Sequence, residues 1–245
     1  MQKRIAIFGA AGRMGQTLIR LIEKQEDLQL AGALDHDGSG FIGKPVSDLI
    51  ETSSAVHFTS DPIQALTYAD IVIDFALAKG ADERIQACRS AGVPMLIGTT
   101  GLSDSQQQSI QEAGNDIPIL WASNMSLGVN LIFRLASEAA KALGSEFKIS
   151  IHETHHVHKL DSPSGTALSI GDVIGNAVGA VDIEYESKRE GEVIGDHTVV
   201  FDSPHERIAI HHHAKNRSVF AQGALNLALR LSEKSKNCYR VRDFI

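Results

Sequence analysis

The feature that most restricts the fold is a strict alternation of short apolar strands and helical patterns through the first 121 residues. Arg4-Ile5-Ala6-Ile7-Phe8 has the apolar density of a buried strand. A helix from about Arg13 to Lys24 follows, with Met14, Leu18, Leu21 and Ile22 on one face. Leu28 to Leu34 and Ile71-Val72-Ile73-Asp74-Phe75 read as the next two strands. A helix from Ala81 to Ala91 leads into Gly92-Val93-Pro94-Met95-Leu96-Ile97, and a Gln-rich helix (Ser103 to Ala113) leads into Ile117-Pro118-Ile119-Leu120-Trp121. Parallel neighbours need a crossover between them, and helices supply it, so this order predicts a parallel sheet covered on both faces.

After Ala122-Ser123-Asn124-Met125-Ser126, the expected domain crossing, the pattern changes. Asn130 to Leu143 is amphipathic, Phe147 to Glu153 alternates as a one-sided strand, and Ser164 to Val178 is a second helix. Ile183-Glu184-Tyr185, His197 to Phe201 and Glu206 to His211 read as further strands, as suits an open-faced α+β domain. Periodicity alone lets the last helix (Ala221 to Ser232) and Tyr239-Arg240-Val241 pack on either domain.

Gly9-Ala10-Ala11-Gly12-Arg13-Met14-Gly15 joins the first strand to its helix. Glycines so spaced let the backbone approach a pyrophosphate at a helix start, although the spacing is G-x-x-G-x-x-G rather than G-x-G-x-x-G. Asp35 ends the second strand, where an acidic side chain accepts hydrogen bonds from ribose hydroxyls. Gly98-Thr99-Thr100, at the carboxyl end of a later strand, is placed to line the same crevice. The expected class is α/β: a Rossmann-like, parallel-sheet dinucleotide-binding domain with a second α+β domain.

The second chemical signal is His155-His156-Val157-His158-Lys159-Leu160-Asp161-Ser162-Pro163-Ser164-Gly165-Thr166-Ala167. Ser164 is a good N-cap, so the N–H groups of Gly165 and Thr166 point out of a helix end and suit a carboxylate. Three histidines and a lysine stand just upstream as proton donors. His152-Glu153-Thr154-His155-His156 also matches H-E-x-x-H, a zinc motif that requires a helix. The alternation from Phe147 onward is that of a strand, which separates His152 from His156 by ~13 Å. No metal site is expected there, and His211-His212-His213 reads as structural.

A net charge of −7 argues against a nucleic-acid or anionic-membrane binder, and no apolar run approaches a bilayer span. Lys3-Arg4 and the apolar run to Ala11 imitate a secretory signal, but Arg13 and the glycines cut it short. The two cysteines, Cys88 and Cys238, lie far apart, so a reducing cytoplasm is expected.

With these motifs, Gly195-Asp196-His197-Thr198, Arg217 and Gly223-Ala224 in view, the chain resembles the bacterial 4-hydroxy-tetrahydrodipicolinate (dihydrodipicolinate) reductases nearly end to end. The H-H-x-H-K-x-D-x-P-S-G-T-A string is the specific element. The resemblance implies that His155 and Lys159 are the catalytic pair. His156, the backbone at Gly165-Thr166 and Arg217 would bind a cyclic dicarboxylate substrate. Gly9, Ala10, Ala11, Gly12, Arg13, Met14, Asp35, Gly98, Thr99, Thr100, Ala122, Ser123, Asn124 and Met125 would line the cofactor. It further implies a homotetramer and a last helix that returns to the first domain. The domains are then 1–126 plus 218–245 for the dinucleotide, and 127–217 for substrate and oligomerisation. Two departures stand out: Asp35 is followed by His36 where several members have an acidic residue then arginine, and the segment between Tyr185 and Gly195 is short.

The implied reaction is reduction of 4-hydroxy-tetrahydrodipicolinate to tetrahydrodipicolinate with NADH or NADPH, in lysine and diaminopimelate biosynthesis. NADH is favoured, because Asp35-His36-Asp37 offers carboxylates where NADP needs a cation, and Arg13 is the one nearby counterweight. The rival readings are another small-molecule dehydrogenase, of homoserine or aspartate-semialdehyde type, and a non-catalytic dinucleotide sensor.

Overall fold

Seven strands of the first unit form one parallel sheet: β1 (Lys3–Phe8), β2 (Leu28–Leu34), β3 (Phe58–Thr59), β4 (Ile71–Asp74), β5 (Met95–Ile97), β6 (Pro118–Trp121) and, far along the chain, β11 (Asn237–Tyr239). Their order across the sheet is β11-β6-β5-β4-β1-β2-β3. The chain winds outward from β1 through β2 to β3, then returns to β4 on the other side of β1. The chain direction therefore reverses between β1 and β4, and the carboxyl edge at such a reversal is where open α/β sheets bind their ligands. Both faces are covered, which is why β4 and β5 are buried at every position. In this computed structural model, which describes residues 2–245, the chain divides into two compact units: everything up to Met125 together with Phe220–Phe244, and Ser126–Val219 with Ile245.

Helices α1 (Arg13–Glu23), α3 (Ala81–Ala91) and α4 (Asp104–Ala113) lie close to their expected limits. Two elements were not expected. β3 is only two residues long, too short for any periodicity, and α2 (Pro62–Leu66) is five residues started by an Asp61 N-cap with Pro62 behind it. Cys238 pairs with Ile119, so the C-terminal segment completes this sheet as its seventh strand. The preceding helix α7 (Ser218–Leu231) buries Ala224, Leu227, Ala228 and Leu231. No helix of the described residues is long and apolar enough to cross a membrane.

The second unit is a four-stranded mixed sheet, in the order β10-β9-β7-β8, with α5 (Leu127–Leu143) and α6 (Gly165–Val178) among its elements. β7 (Lys148–His155) is antiparallel to β9 (Asp196–Asp202) and parallel to β8 (Ile183–Arg189), while β10 (Arg207–His213) forms the far edge. Ile132, Ala136, Ile149, Ile151, Ile170, Ile174, Val199 and Phe201 form its core. β7 and β8 run further than the pattern indicated, because their last residues on the covered face are polar. Ile149, Ile151, Glu153 and His155 share that face, and His152 points to the other.

Candidate active site

The glycine turn sits at the sheet reversal. Gly9 has φ +75°, and a Cβ there would lie 2.8 Å from the Ala76 nitrogen in the loop after β4. A Cβ on Gly15 would strike the Gly9 carbonyl at 2.3 Å, so α1 packs directly under the turn. Ala10 is fully buried, with its N–H bound to the Leu34 carbonyl, whereas Gly12 and Arg13 are exposed and Met14 is half-buried. The Asp35 carboxylate accepts from the Ala11 N–H at 3.2 Å, the Ser39 hydroxyl at 3.3 Å and the His36 N–H at 2.9 Å. A turn opened by Gly9, Ala10, Ala11 and Gly12, whose backbone small side chains leave approachable, beside an acid at the end of β2, fits an adenine dinucleotide.

The loop after β4 is fixed from below. Asp74 and Arg84 of α3 form an ion pair at 2.8 Å with side chains 1% and 8% exposed. Arg84 also donates to the Leu77 and Lys79 carbonyls, and Asp74 accepts from the Ala76 N–H and the Thr99 hydroxyl. Thr99 therefore spends its hydroxyl inside the protein, and its carbonyl accepts from Trp121 Nε1. Gly98 is pressed against the Phe75 ring, Thr100 is exposed, and Ala122 donates to the Ile97 carbonyl. Ser123 is exposed, Asn124 half-buried and Met125 buried.

In the second unit the N-terminus of α6 organises the polar groups. Ser164 is the N-cap; its hydroxyl accepts from the Ala167 N–H and its own N–H donates to Glu153 Oε1 at 3.2 Å. Glu153 Oε2 accepts from His155 Nδ1 in a short hydrogen bond. Lys159 Nζ lies 2.8 Å from Asp161. This helix end already faces a carboxylate of the chain itself, that of Asp161. The Asp161 carboxyl is held below its usual range first by Lys159 and, more weakly, by the Gly165 N–H. Arg217 Nη2 stands 3.2 Å from His156 Nε2, and His156 Nδ1 is buried without a partner. The structure thus brings His156 together with Arg217, and links His155 and Lys159 to the same helix start. His152 is turned away to Glu186 and Ser150 on the open sheet face.

Burial pushes the His155 pKa down, against the upward pull of Glu153, with Lys159 and Arg189 lowering it further. Burial also tends to raise Glu153, but hydrogen bonds from Arg189 and His155 hold it below the ordinary range. Glu153, Asp161 and His197 stand inside motifs named above without a role assigned to them, and Arg189 stands in none. Glu153 was legible, since strand alternation puts it on the face of His155; Arg189 was not, because no apolar pattern carries β8 past Tyr185.

His197 is 4% exposed, its Nε2 is 3.1 Å from the Ser164 hydroxyl, and its ring meets that of His155 edge-on at 5.1 Å. Burial first, then the neighbouring His155, push its pKa down to about 4. An unfolded histidine titrates near ~6.5, so between that value and pH 4 the unfolded chain binds a proton that the folded chain refuses. The stability contributed is complete above the upper value and lost as pH falls through the window, by about 3 kcal/mol in all. Urea midpoints should fall steeply from pH 7 to 4.5, and His197→Gln should make the fall shallower. An unchanged slope in the variant would contradict the assignment.

A glycine turn at the sheet reversal and a histidine–lysine pair at a helix start define the class, that of two-unit oxidoreductases dependent on a nicotinamide dinucleotide. Residues 3–125 match the family model "Dihydrodipicolinate reductase, N-terminus", and residues 128–245 match "Dihydrodipicolinate reductase, C-terminus". A 4-hydroxy-tetrahydrodipicolinate reductase of Chromobacterium violaceum is 40% identical over 264 aligned positions, covering 100% of this chain and 99% of the relative. One from Pseudomonas fluorescens is also 40% identical, covering 99% and 98%. The dipicolinate-bound dihydrodipicolinate reductase from Paenisporosarcina sp. TG-14 shares the fold with a TM-score of 0.84, at 23% identity over the full length of both chains. An aspartate semialdehyde dehydrogenase from Candida albicans resembles the chain in fold alone, with a TM-score of 0.56 at 11% identity, covering 92% of this chain and 76% of that one. The chain belongs to the dihydrodipicolinate reductase family.

Proposed function

We propose that the chain reduces 4-hydroxy-tetrahydrodipicolinate to tetrahydrodipicolinate in lysine and diaminopimelate biosynthesis, with NADH as the favoured cofactor. The observation that carries the reading is the α6 N-terminus, where His155, through Glu153 and Ser164, and Lys159, through Asp161, are tied to one helix end. That end, with His156 and Arg217, has the donors that two substrate carboxylates need, and dipicolinate, bound in the Paenisporosarcina relative, is a planar dicarboxylate. A substrate carboxylate competes with Asp161 for the Gly165 N–H.

The first unit is assigned to the dinucleotide, held by Gly9 to Met14, Asp35, Gly98 to Thr100 and Ala122 to Met125, and the second to substrate and oligomerisation. The nicotinamide supplies a hydride. With the 4-hydroxyl lost as water the ring becomes conjugated, and the electrons that a hydride displaces into it leave negative charge that the protein has to stabilise and protonate. Lys159 supplies a fixed ammonium for that charge. His155 is neutral in its buried setting, and the arrival of a dianionic substrate favours its imidazolium form, which then holds the proton to be delivered. A homotetramer in the cytoplasm completes the reading. The tetramer rests on the family resemblance, and two free cysteines suit a reducing compartment.

Incubation with enzymatically generated substrate and NADH or NADPH, followed at the nicotinamide absorbance, tests the activity; no oxidation of either would overturn it. For the cofactor, the Asp35 carboxylate at the end of β2 accepts hydrogen bonds from ribose hydroxyls and repels a 2′-phosphate. NADH should therefore equal or exceed NADPH in kcat/KM at neutral pH, with the gap narrowing as salt screens the repulsion. An advantage for NADPH of about tenfold, ~1.4 kcal/mol, would show that Arg13 outweighs Asp35.

A further inference from the structure

We infer that Arg189 and Glu153 are positioning residues for this reaction, one guanidinium setting the place of both members of the proton-handling pair. The inference rests on the reading of His155 and Lys159 given above. Arg189 closes β8 and has five N–H donors, and each has an acceptor. Nη1 and Nη2 grip Glu153 Oε2 and Oε1 at 3.0 and 2.9 Å. The second hydrogens of Nη1 and Nη2 go to the Lys188 carbonyl at 2.7 Å and the Asp161 carbonyl at 2.6 Å. Nε points at the Lys159 carbonyl at 3.3 Å. One side chain thus clamps the carboxylate behind His155 and the backbone that carries Lys159.

Glu153 passes the constraint on. Its side chain is 1% exposed, and an ionised carboxylate only accepts, so His155 must present Nδ1–H to it. The ring orientation and tautomer are set together, and Nε2 becomes the working nitrogen. Gly195 keeps room on that side: a Cβ there would come within 3.0 Å of His155 Nε2. A buried ion pair alone is weak evidence of purpose. Here the same guanidinium also binds the two carbonyls flanking Leu160, beyond what neutralising Glu153 requires. Lysine, a point charge, cannot reproduce the fork.

The test uses the full-length protein with NADH and substrate. Arg189→Lys and Glu153→Gln should each lower kcat by about 10- to 100-fold, less than loss of the acid itself, with NADH affinity unchanged by fluorescence titration. Glu153→Gln should also move the His155-dependent limb of the kcat–pH profile to lower pH, because the anion favouring imidazolium is gone while Lys159 and Arg189 stay. Added to His155→Gln, Glu153→Gln should cost almost nothing further, since it acts through a ring no longer present. Normal turnover in folded Arg189→Lys, or a full multiplicative loss in the His155→Gln background, would overturn the inference. If Glu153→Gln does not fold, Arg189→Lys decides alone by its kcat against its NADH affinity. Retention of turnover by His155→Gln would instead defeat the catalytic reading, a result distinct from failure of the positioning role.

Discussion

His155→Gln is expected to lower kcat by about 10²–10⁴-fold, the usual contribution of a positioned general acid. Glutamine keeps polarity and approximate size, so the change removes proton transfer with little disturbance to the 8%-exposed site. NADH affinity should hardly move, because the assigned cofactor residues lie on the β1–α1 turn and the ends of β2, β5 and β6. Lys159→Ala should lower kcat by a comparable factor, but with a second signature. Its ammonium neutralises Asp161 at 2.8 Å, and without it an uncompensated carboxylate faces the end where substrate carboxylates should bind. KM for the substrate should therefore rise in Lys159→Ala and stay near normal in His155→Gln. Steady-state kinetics with both variants check this; near-normal turnover in both would remove this segment from the chemistry.

Arg84→Met should destabilise the first unit by about 3–5 kcal/mol, the usual cost of breaking a buried pair from one side. Asp74 would remain 1% exposed with its charge unpaired, and the Leu77 and Lys79 carbonyls would lose their donor. The pinned loop abuts Gly9, so weaker dinucleotide binding should accompany the lower urea midpoint. Adding Asp74→Asn should recover much of the stability, since a neutral amide needs no counter-ion. A midpoint within the scatter of the unaltered protein for Arg84→Met would show that water reaches Asp74 and replaces the pair.

The strand–helix alternation was legible because burial on both faces writes continuous apolar runs into β1, β4 and β5, and the linking helices keep their own period. The limits of α3, expected at roughly Ala81 to Ala91, fall there, and glycines flank both ends. The glycine turn, Asp35 and the Ser164 cap are local devices, set by φ, by close approach and by one hydroxyl within reach of the next turn, so neighbouring residues suffice to reveal them. β3 and α2 escaped because two and five residues carry no period. β11 adds to β6 across more than a hundred residues of chain, and no local pattern names a strand's partner.

The site divides in the same way. Residue types between His155 and Ala167 determined by themselves that proton donors stand before a helix start, because a helix N-terminus and its cap are properties of adjacent residues. Which donors are held, and by what, was decided in three dimensions. Glu153 meets His155 through strand alternation, but Arg189 reaches Glu153, Lys159 and Asp161 only because β8 lies beside β7 in one register, placing Arg189 opposite His155. His156 meets Arg217 across sixty-one positions for an equally non-local reason. Hydrogen bonds and desolvation act over a few ångströms, and the distances that matter to them are made by packing, not by spacing along the chain.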